Sequence, residues 1–187
     1  MSPIVDFDSA IADRIRAERS ARGWSIAELA GKASVSKAMI SRIERGEASP
    51  TATLLVKIAT AFGLTMASFF SRIEEKQQRL SRLTNQPVWT DPETGYRRRQ
   101  ILAQSGFPLE ITEVELPPCQ EVALPGSSYT FVRQAIWVTS GTLRLFEGGD
   151  WHDLAEGDCF AFGPPSDVIF ANGSDQPCRY TVFLGRM

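Results

Sequence analysis

The side chains best suited to chemistry in this sequence are cations and hydroxyls gathered in one short stretch. Arg42 can donate two hydrogen bonds to O6 and N7 of guanine, a pairing worth about 1–3 kcal/mol of discrimination between bases. Lys37 can donate to a base in the same way or contact a phosphate. Ser36, Ser41 and Arg45 suit phosphate oxygens, which fix the register of a protein on DNA without reading its sequence. These residue types favour contacts with a nucleic acid.

Five short helices are predicted to position these side chains, because apolar residues recur at steps of three, four and seven up to about residue 84. The first helix begins at Asp8 or Ser9 and stops near Gly23. Ser25 and Glu28 form a capping box that opens the second, and Ser36 caps the third. For the later helices we expect Ser49 with Pro50 to begin the fourth and Thr65 the fifth. The pattern predicts a compact helical bundle.

The stretch from Ser25 to Gly46, ending in Ile43-Glu44-Arg45-Gly46 and followed by Ser49-Pro50-Thr51, resembles the xenobiotic-response-element type of helix-turn-helix, the group of the lambda and Cro repressors. The resemblance covers residues 11–70. It implies that the helix after Ser36 enters the major groove. By position, it places Lys37, Ala38 and Arg42 at base edges. It places Ser36, Ser41, Arg45 and the N–H groups near Ser25 at phosphates.

The same resemblance assigns structural roles to other residues. Arg19 and Glu44 match a pair that forms an internal salt bridge, and Met39, Ile40 and Ile43 are expected in the core. We expect Arg14, Arg16 and Arg22 to be solvated helix charges rather than DNA contacts. The chain departs from the family at Ile26, where a glutamine often supports a phosphate and a base. One DNA anchor is therefore missing.

From about residue 96 the apolar period falls to two, which is typical of strands. Strands are predicted at 109–116, 129–138 and 142–146, separated by glycine and proline turns, and their number suggests a sandwich or a barrel. Residues 74–84 are expected to extend the fifth helix, and residues 86–95 to form a loop. The predicted domains are a helix-turn-helix unit at 8–72, a helical linker and loop at 73–95 and a β domain at 96–187.

Two segments of the second half resemble the two motifs of the cupin family: Gln134 to Leu145, with its glycine at 141, and Leu154 to Pro165, with a Gly157-Asp158 turn. This resemblance implies a double-stranded β-helix barrel. Metal-binding cupins hold their ion with histidines and a glutamate, but the matching positions here are Ser128, Thr130, Gln134 and Val168. None of these is an imidazole, carboxylate or thiolate donor. We therefore expect no metal and no other cofactor. His152, the single histidine, is expected to be a surface or packing residue.

The barrel interior can still receive a small molecule, and the sequence leaves two registers open. In the register of the motif, Ser128, Thr130 and Gln134 face inward with an apolar wall, which would suit an uncharged or amphipathic ligand. In the other, Arg133 faces inward and favours a carboxylate, since a guanidinium can bind it bidentately. Arg179 is a further inward candidate.

Charge and cysteine usage agree with two unlike halves. The net charge of −2 divides into 13 Lys+Arg against 9 Asp+Glu in residues 1–86, and 7 against 13 in residues 87–187. A local basic field, rather than the total charge, governs attraction to DNA. The three cysteines form no C-x-x-C pair and are expected to be reduced. Since neither a secretory signal nor a membrane-spanning apolar run is visible, we expect a cytoplasmic protein.

The joined resemblances imply a transcription regulator. We expect a sequence-specific repressor that binds a two-fold symmetric operator in double-stranded DNA as a homodimer, with a metal-free cupin domain that senses a small metabolite and aids dimerisation. We expect no enzymatic activity. Three alternatives stay open: a cupin isomerase or epimerase fused to a DNA-targeting module, an antitoxin of a toxin–antitoxin pair, and a barrel that only scaffolds a dimer.

Overall fold

A computed structural model describes residues 7–71, 80–103, 107–130 and 132–186 of the chain. The first half contains five helices: α1 (Phe7–Ala21), α2 (Ile26–Ala33), α3 (Lys37–Glu44), α4 (Ala52–Ala61) and α5 (Met66–Ser71). The second half contains ten strands: β1 (Val88–Thr90), β2 (Arg97–Leu102), β3 (Leu109–Leu116), β4 (Gln120–Leu124), β5 (Val132–Ser140), β6 (Leu143–Glu147), β7 (Asp150–Leu154), β8 (Cys159–Ala161), β9 (Val168–Asn172) and β10 (Cys178–Arg186).

Local capping explains where the helices begin. The Ser25 hydroxyl accepts from the Glu28 N–H while the Glu28 carboxylate accepts from the Ser25 N–H, so the predicted capping box is present. These hydrogen bonds to Ser25 lower the pKa of the Glu28 carboxyl. The predicted start of α4 at Ser49 and Pro50 is wrong. Thr51 is the N-cap, because its hydroxyl accepts from the N–H of Leu54 at 3.4 Å.

An ion pair ties α1 to the end of α3 inside the helical domain. Arg19 donates from Nε and a terminal nitrogen to the two carboxylate oxygens of Glu44, at 2.7 and 2.9 Å, and also to the carbonyl of Trp24 at 2.8 Å. The hydrogen bond to Glu44 raises the pKa of Arg19. The salt bridge implied by the helix-turn-helix resemblance is therefore present, and it fixes the base of the helix that carries Lys37 and Arg42.

The expectation that Arg14, Arg16 and Arg22 are solvated needs correction. Arg14 and Arg22 both pair with the buried Glu18. Arg22 also donates to the carbonyl of Phe62 at 2.8 Å, and Arg16 donates to the carbonyl of Glu44. Arg14 and Arg22 are therefore enclosed rather than solvated, whereas Arg16 is exposed as expected although it also links α1 to the end of α3.

The strands form two antiparallel sheets that face each other. Their orders are β1-β2-β3-β10-β5-β8 and β4-β9-β6-β7. From β3 to β10 the chain repeatedly crosses between the sheets and returns beside an earlier strand, which is the jelly-roll order of a double-stranded β-helix. The cupin-type barrel predicted from the sequence is confirmed, and β1 and β2 extend its larger sheet.

Two predicted segments differ from the structure. The strand expected from Tyr129 begins at Val132, because Gly126–Tyr129 forms a 3-10 turn instead. The loop expected at 86–95 contains β1, which pairs with β2, and buried Trp89 packs 6.1 Å from Phe70 of α5. Of the expected helical extension at 74–84, residues 74–79 lie outside the described residues, and Leu83–Asn85 forms a 3-10 turn.

The helical domain rests directly on the barrel, with α4 and α5 at the boundary. The carboxylate of Asp91, in the turn after β1, accepts the N–H of Ala52 at the start of α4. The hydroxyls of Thr65 and Ser68 donate to the buried carboxylate of Glu110 on β3, at 2.8 and 2.6 Å. These contacts join the helical domain to the sheet that forms one wall of the barrel.

Neither membrane-spanning helices nor disulfides occur in the part of the chain that the structure describes. No described helix is long and apolar enough to cross a bilayer. Cys119 and Cys159 are exposed and Cys178 is buried, all three as free thiols. Burial raises the pKa of the Cys178 thiol to about 11.

The ion pair beneath α3 gives a test of the fold. Replacing Glu44 by Gln leaves the enclosed guanidinium of Arg19 without its counter-charge, and we expect it to cost about 3 kcal/mol of unfolding free energy. Urea denaturation followed by helical circular dichroism measures this. The control is Glu47→Gln, because Glu47 forms an exposed pair with Arg45 that contributes little. Equal unfolding midpoints for the two variants would contradict the structural role of Glu44.

Candidate functional site

The outward face of α3 carries the residues expected to read bases. Lys37, Ala38 and Arg42 are exposed, whereas Ile40 and Ile43 on the opposite face are buried. Residues four apart lie above one another on a helix, so Ala38 and Arg42 share a face. Within the described residues, the side chains of Lys37 and Arg42 form no hydrogen bond or ion pair. Their donors therefore point into solvent from a helix whose other side is fixed in the core.

The residues expected at phosphates surround this face but differ in their availability. Ser25 and Ser36 are exposed N-caps, and Ser36 accepts from the N–H of Met39 at 3.2 Å. Arg45 donates to Ser41, and to the two carboxylate oxygens of Glu47 at 2.6 and 2.8 Å. Because Glu47 is itself anionic, Arg45 can hold a phosphate only if that pair rearranges. Ile26, at the position without the usual glutamine, packs partly buried against the core.

A second candidate site is a cavity at the mouth of the barrel, where α4 and α5 cover it. The enclosed part of this cavity is small, about 40 Å³, and it lies within a wider cleft whose roughly 520 Å³ of empty space includes open solvent. The barrel contributes apolar walls from Leu124, Phe170 and Leu184, and the helical domain contributes Val56, Leu64 and Met66. One cavity is therefore bounded by both domains.

Six polar side chains of the barrel line this cavity, including all three tyrosines of the sequence, Tyr96, Tyr129 and Tyr180. One of the other three is Arg98 of β2, only 7% exposed. Its terminal nitrogens donate to the hydroxyls of Tyr96 and Thr112, each at 3.3 Å, and approach the sulfur of Met66 at 3.8 Å. All of these partners are neutral, and no ion pair involves Arg98 in the described part of the chain.

Two further atoms around the cavity lack partners. The hydroxyl of Tyr180, a residue only 1% exposed, and Nε of Arg98 are buried without a hydrogen bond to any described residue. Burial raises the pKa of both Tyr129 and Tyr180, so their hydroxyls stay protonated. The nearby positive charge of Arg98 opposes that rise in part. The cavity thus offers one cation and neutral hydroxyl donors.

The residues expected to bind a ligand are only partly in this cavity. Ser128 and Gln134 line it. Arg133 and Arg179 do not, because both are exposed on the outer face of the larger sheet, where Arg179 pairs with Glu115 at 2.8 Å. Thr130 is also exposed, and it donates to the carbonyl of Ser127. The register in which Arg133 faces inward is therefore wrong.

Sequence reasoning missed Arg98, although the pattern contained a usable signal. Arg98 is the middle member of Arg97-Arg98-Arg99, and in a strand the middle residue faces opposite to its neighbours. Trp89, Val114 and other apolar residues bury the inner side of this region, which determines the face on which Arg98 lies. Only the folded sheet shows that this face meets the barrel mouth.

The positions that hold metal in related barrels carry no donor cluster here. In the part of the chain that the structure describes, no group of three histidine, cysteine, aspartate or glutamate side chains could hold a metal ion. His152 lies on β7, outside the cavity, with its ring 4.6 Å from that of Phe160. Gly157, with φ of +93°, makes the turn of the second cupin-like motif by donating to the carbonyl of Val138 at 2.9 Å.

Comparison with known proteins agrees with both halves. A family model described as helix-turn-helix (HTH_3) matches residues 15–69. The HTH-type transcriptional regulator SutR of Escherichia coli (strain K12) is 30% identical over 169 residues, which cover 87% of this chain and 86% of that protein. The crystal structure of an HTH_3 family transcriptional regulator from Vibrio cholerae superposes with a TM-score of 0.79 at 26% identity, covering 97% of each chain.

The fold and the exposed face of α3 define a DNA-binding protein with an appended barrel. The chain belongs to the helix-turn-helix family of transcriptional regulators, as its similarity to the Escherichia coli regulator over most of both chains shows. It is a DNA-binding regulator of the xenobiotic-response-element type, with a C-terminal cupin domain.

The orphaned hydroxyl of Tyr180 gives a test of the cavity. Replacing Tyr180 by Phe removes a buried polar group that has no partner, so the free protein should unfold at the same temperature or a higher one. Differential scanning calorimetry of the ligand-free chain measures this, with Tyr96→Phe as the matched control because Tyr96 accepts from Arg98. A clear loss of stability in Tyr180→Phe alone would show that its hydroxyl has a protein partner.

Proposed function

We propose that the protein is a repressor that binds a two-fold symmetric operator as a homodimer, with α3 of each protomer in the major groove. The observation that carries this proposal is the exposed, unpaired state of Lys37 and Arg42 on a helix fixed from behind by the Arg19–Glu44 pair. In this role Arg42 and Lys37 read base edges, and Ala38 offers its methyl group to thymine.

The surrounding groups would position the reading helix. Ser25, Ser36 and Ser41 lie where the helix-turn-helix geometry brings the phosphate backbone near, and Arg45 joins them once it leaves Glu47. One small domain makes few phosphate contacts, and affinity rises with their number. A dimer that spans two half-sites about one helical turn apart supplies the rest.

We further propose that the barrel binds a small molecule and carries out no chemistry on it. The cavity is lined by neither histidine nor carboxylate among the described residues, so the usual proton acceptors are absent. Tyr129 and Tyr180 are neutral donors, because burial raises their pKa values. This supports a sensor over an isomerase or epimerase.

The direct boundary between the domains supports a route for the signal. Thr60 and Thr65 of the helical domain and Ser128 of the barrel line the cavity together, and the Thr60 and Ser128 hydroxyls are 3.2 Å apart. A bound molecule would therefore touch the domain that carries α3. Such a molecule shifts DNA binding only if it favours one arrangement of the domains over the other.

The reading role of Arg42 gives the main test. Arg42→Ala should weaken binding to promoter DNA from its own gene neighbourhood by about 5- to 150-fold, since a bidentate guanine contact contributes about 1–3 kcal/mol. Fluorescence anisotropy at two salt concentrations measures the change. Arg133→Ala is the matched control, because Arg133 is an exposed arginine of the barrel. The proposal is refuted if Arg42→Ala binds the DNA as tightly as the wild type does, or if the wild-type affinity is the same at both salt concentrations.

The dimer is tested separately. Sedimentation equilibrium of the free protein and of its DNA complex should give twice the 20.7 kDa protomer mass for the protein component. An operator cut to a single half-site should lose most of its affinity, because half of the phosphate contacts are gone. One protomer on a full operator at saturation would exclude the two-fold arrangement.

A further inference from the structure

The cavity between the barrel and the helical domain contains a buried positive charge that none of the described residues neutralises. Arg98 is 7% exposed, and an arginine keeps its charge at any physiological pH. Its described partners are the two hydroxyls of Tyr96 and Thr112 and a methionine sulfur, and its Nε has none. A buried charge without a counter-charge is costly. Such a cost is expected where the charge serves binding.

The buried carboxylate of Glu110, on the same face of the larger sheet, does not supply the missing charge. Glu110 accepts hydrogen bonds from Thr65 and Ser68, at 2.8 and 2.6 Å, and no ion pair joins it to Arg98 among the described residues. The other arginines of β2 do not share the cavity. Arg99 pairs with Glu113 instead, and Arg97 is exposed. Among the described residues that line the cavity, Arg98 is the one cation.

The remaining lining indicates what the occupant must look like. The hydroxyl of Tyr180, which has no hydrogen-bond partner among the described residues, lies within range of the positive charge of Arg98. The rest of the lining is largely apolar, with Phe170 and Leu184 from the barrel and Val56 from α4, and the amide of Gln134 lies on the strand next to Leu184. The lining therefore suits a ligand that has a charged group at one end and an apolar body.

We propose that this cavity is the effector site and that it takes a small organic anion with an apolar body, a carboxylate being the best match, which Arg98 binds through its guanidinium. The Tyr180 hydroxyl supplies a further polar contact to the anionic group. A carboxylate fits because its two oxygens match the paired donors of a guanidinium. The proposal rests on the sensor role proposed above and assigns its ligand class.

The first experiment needs no effector. In the full-length, ligand-free protein, Arg98→Met removes the uncompensated charge while keeping a long unbranched side chain, so the unfolding temperature should stay equal or rise. Arg133→Met, at an exposed arginine, is the matched control. A large fall in the unfolding temperature of Arg98→Met alone would show a structural role for Arg98 and overturn the proposal.

The second experiment uses defined probes. Calorimetric titration of the full chain with benzoate and hexanoate is compared with benzamide and hexanamide, which keep the shape and remove the charge. The carboxylates should bind more tightly than their amides by about ten- to hundredfold, since hydrogen bonds to charged groups are the stronger ones. Arg98→Met should abolish that preference. Arg98→Lys should keep the preference but weaken binding, because lysine lacks the paired donors.

Each outcome of the titration decides the question. Equal binding of acid and amide, no binding of either carboxylate, or a preference that survives in Arg98→Met overturns the anion site. Inorganic phosphate is the further arm, and if it binds more tightly than both carboxylates, the claim of an apolar body is wrong.

The anion site and the sensor role can fail separately. DNA affinity is measured with and without saturating benzoate, and it should change by several-fold in the wild type and not in Arg98→Met. If carboxylates bind through Arg98 but do not change the affinity for DNA, the sensor role is contradicted and the anion site is supported. If the wild type shows no preference for carboxylates over amides but still binds DNA, only the anion site is contradicted.

Discussion

The boundary between the helical domain and the barrel is the constraint on which the rest of the structure depends. Two barrel carboxylates hold the starts of two helices: Asp91 accepts the N–H of Ala52, and Glu110 accepts from Thr65 and Ser68. Negative charge is favourable at these helix ends, where N–H groups lack partners. Because α4 and α5 are fixed in this way, they cover the cavity at the barrel mouth.

The same boundary links two features that would otherwise be independent. Arg98 lies on a barrel strand, yet one of its neighbours is Met66 of the helical domain. An occupant of the cavity would contact both domains. Its binding free energy would therefore depend on how the helical domain, with α3, is placed on the barrel. Binding that couples two sites is reciprocal, and DNA at α3 must then influence the cavity as much as the cavity influences DNA.

Local sequence patterns predicted much of the fold. They could not predict which side chains of one domain face the other domain. The capping box at Ser25 and the Arg19–Glu44 pair were predictable because the helix-turn-helix pattern fixes their positions. The start of α4 was misplaced because Ser49 with Pro50 resembles a helix start, whereas Thr51 makes the cap. Arg133 was an incorrect ligand candidate and Arg98 was missed. Only the packing of β2 beneath α5 shows which arginine is enclosed.

The most direct test of coupling through the boundary is amide hydrogen exchange of the full chain with and without its operator DNA. The account predicts that DNA alters exchange in α2 and α3, where contact is made, and also in α4, in α5 and in the turn Gly126–Tyr129 beside the cavity. Changes confined to α2 and α3, with unaltered exchange at the boundary, would contradict it.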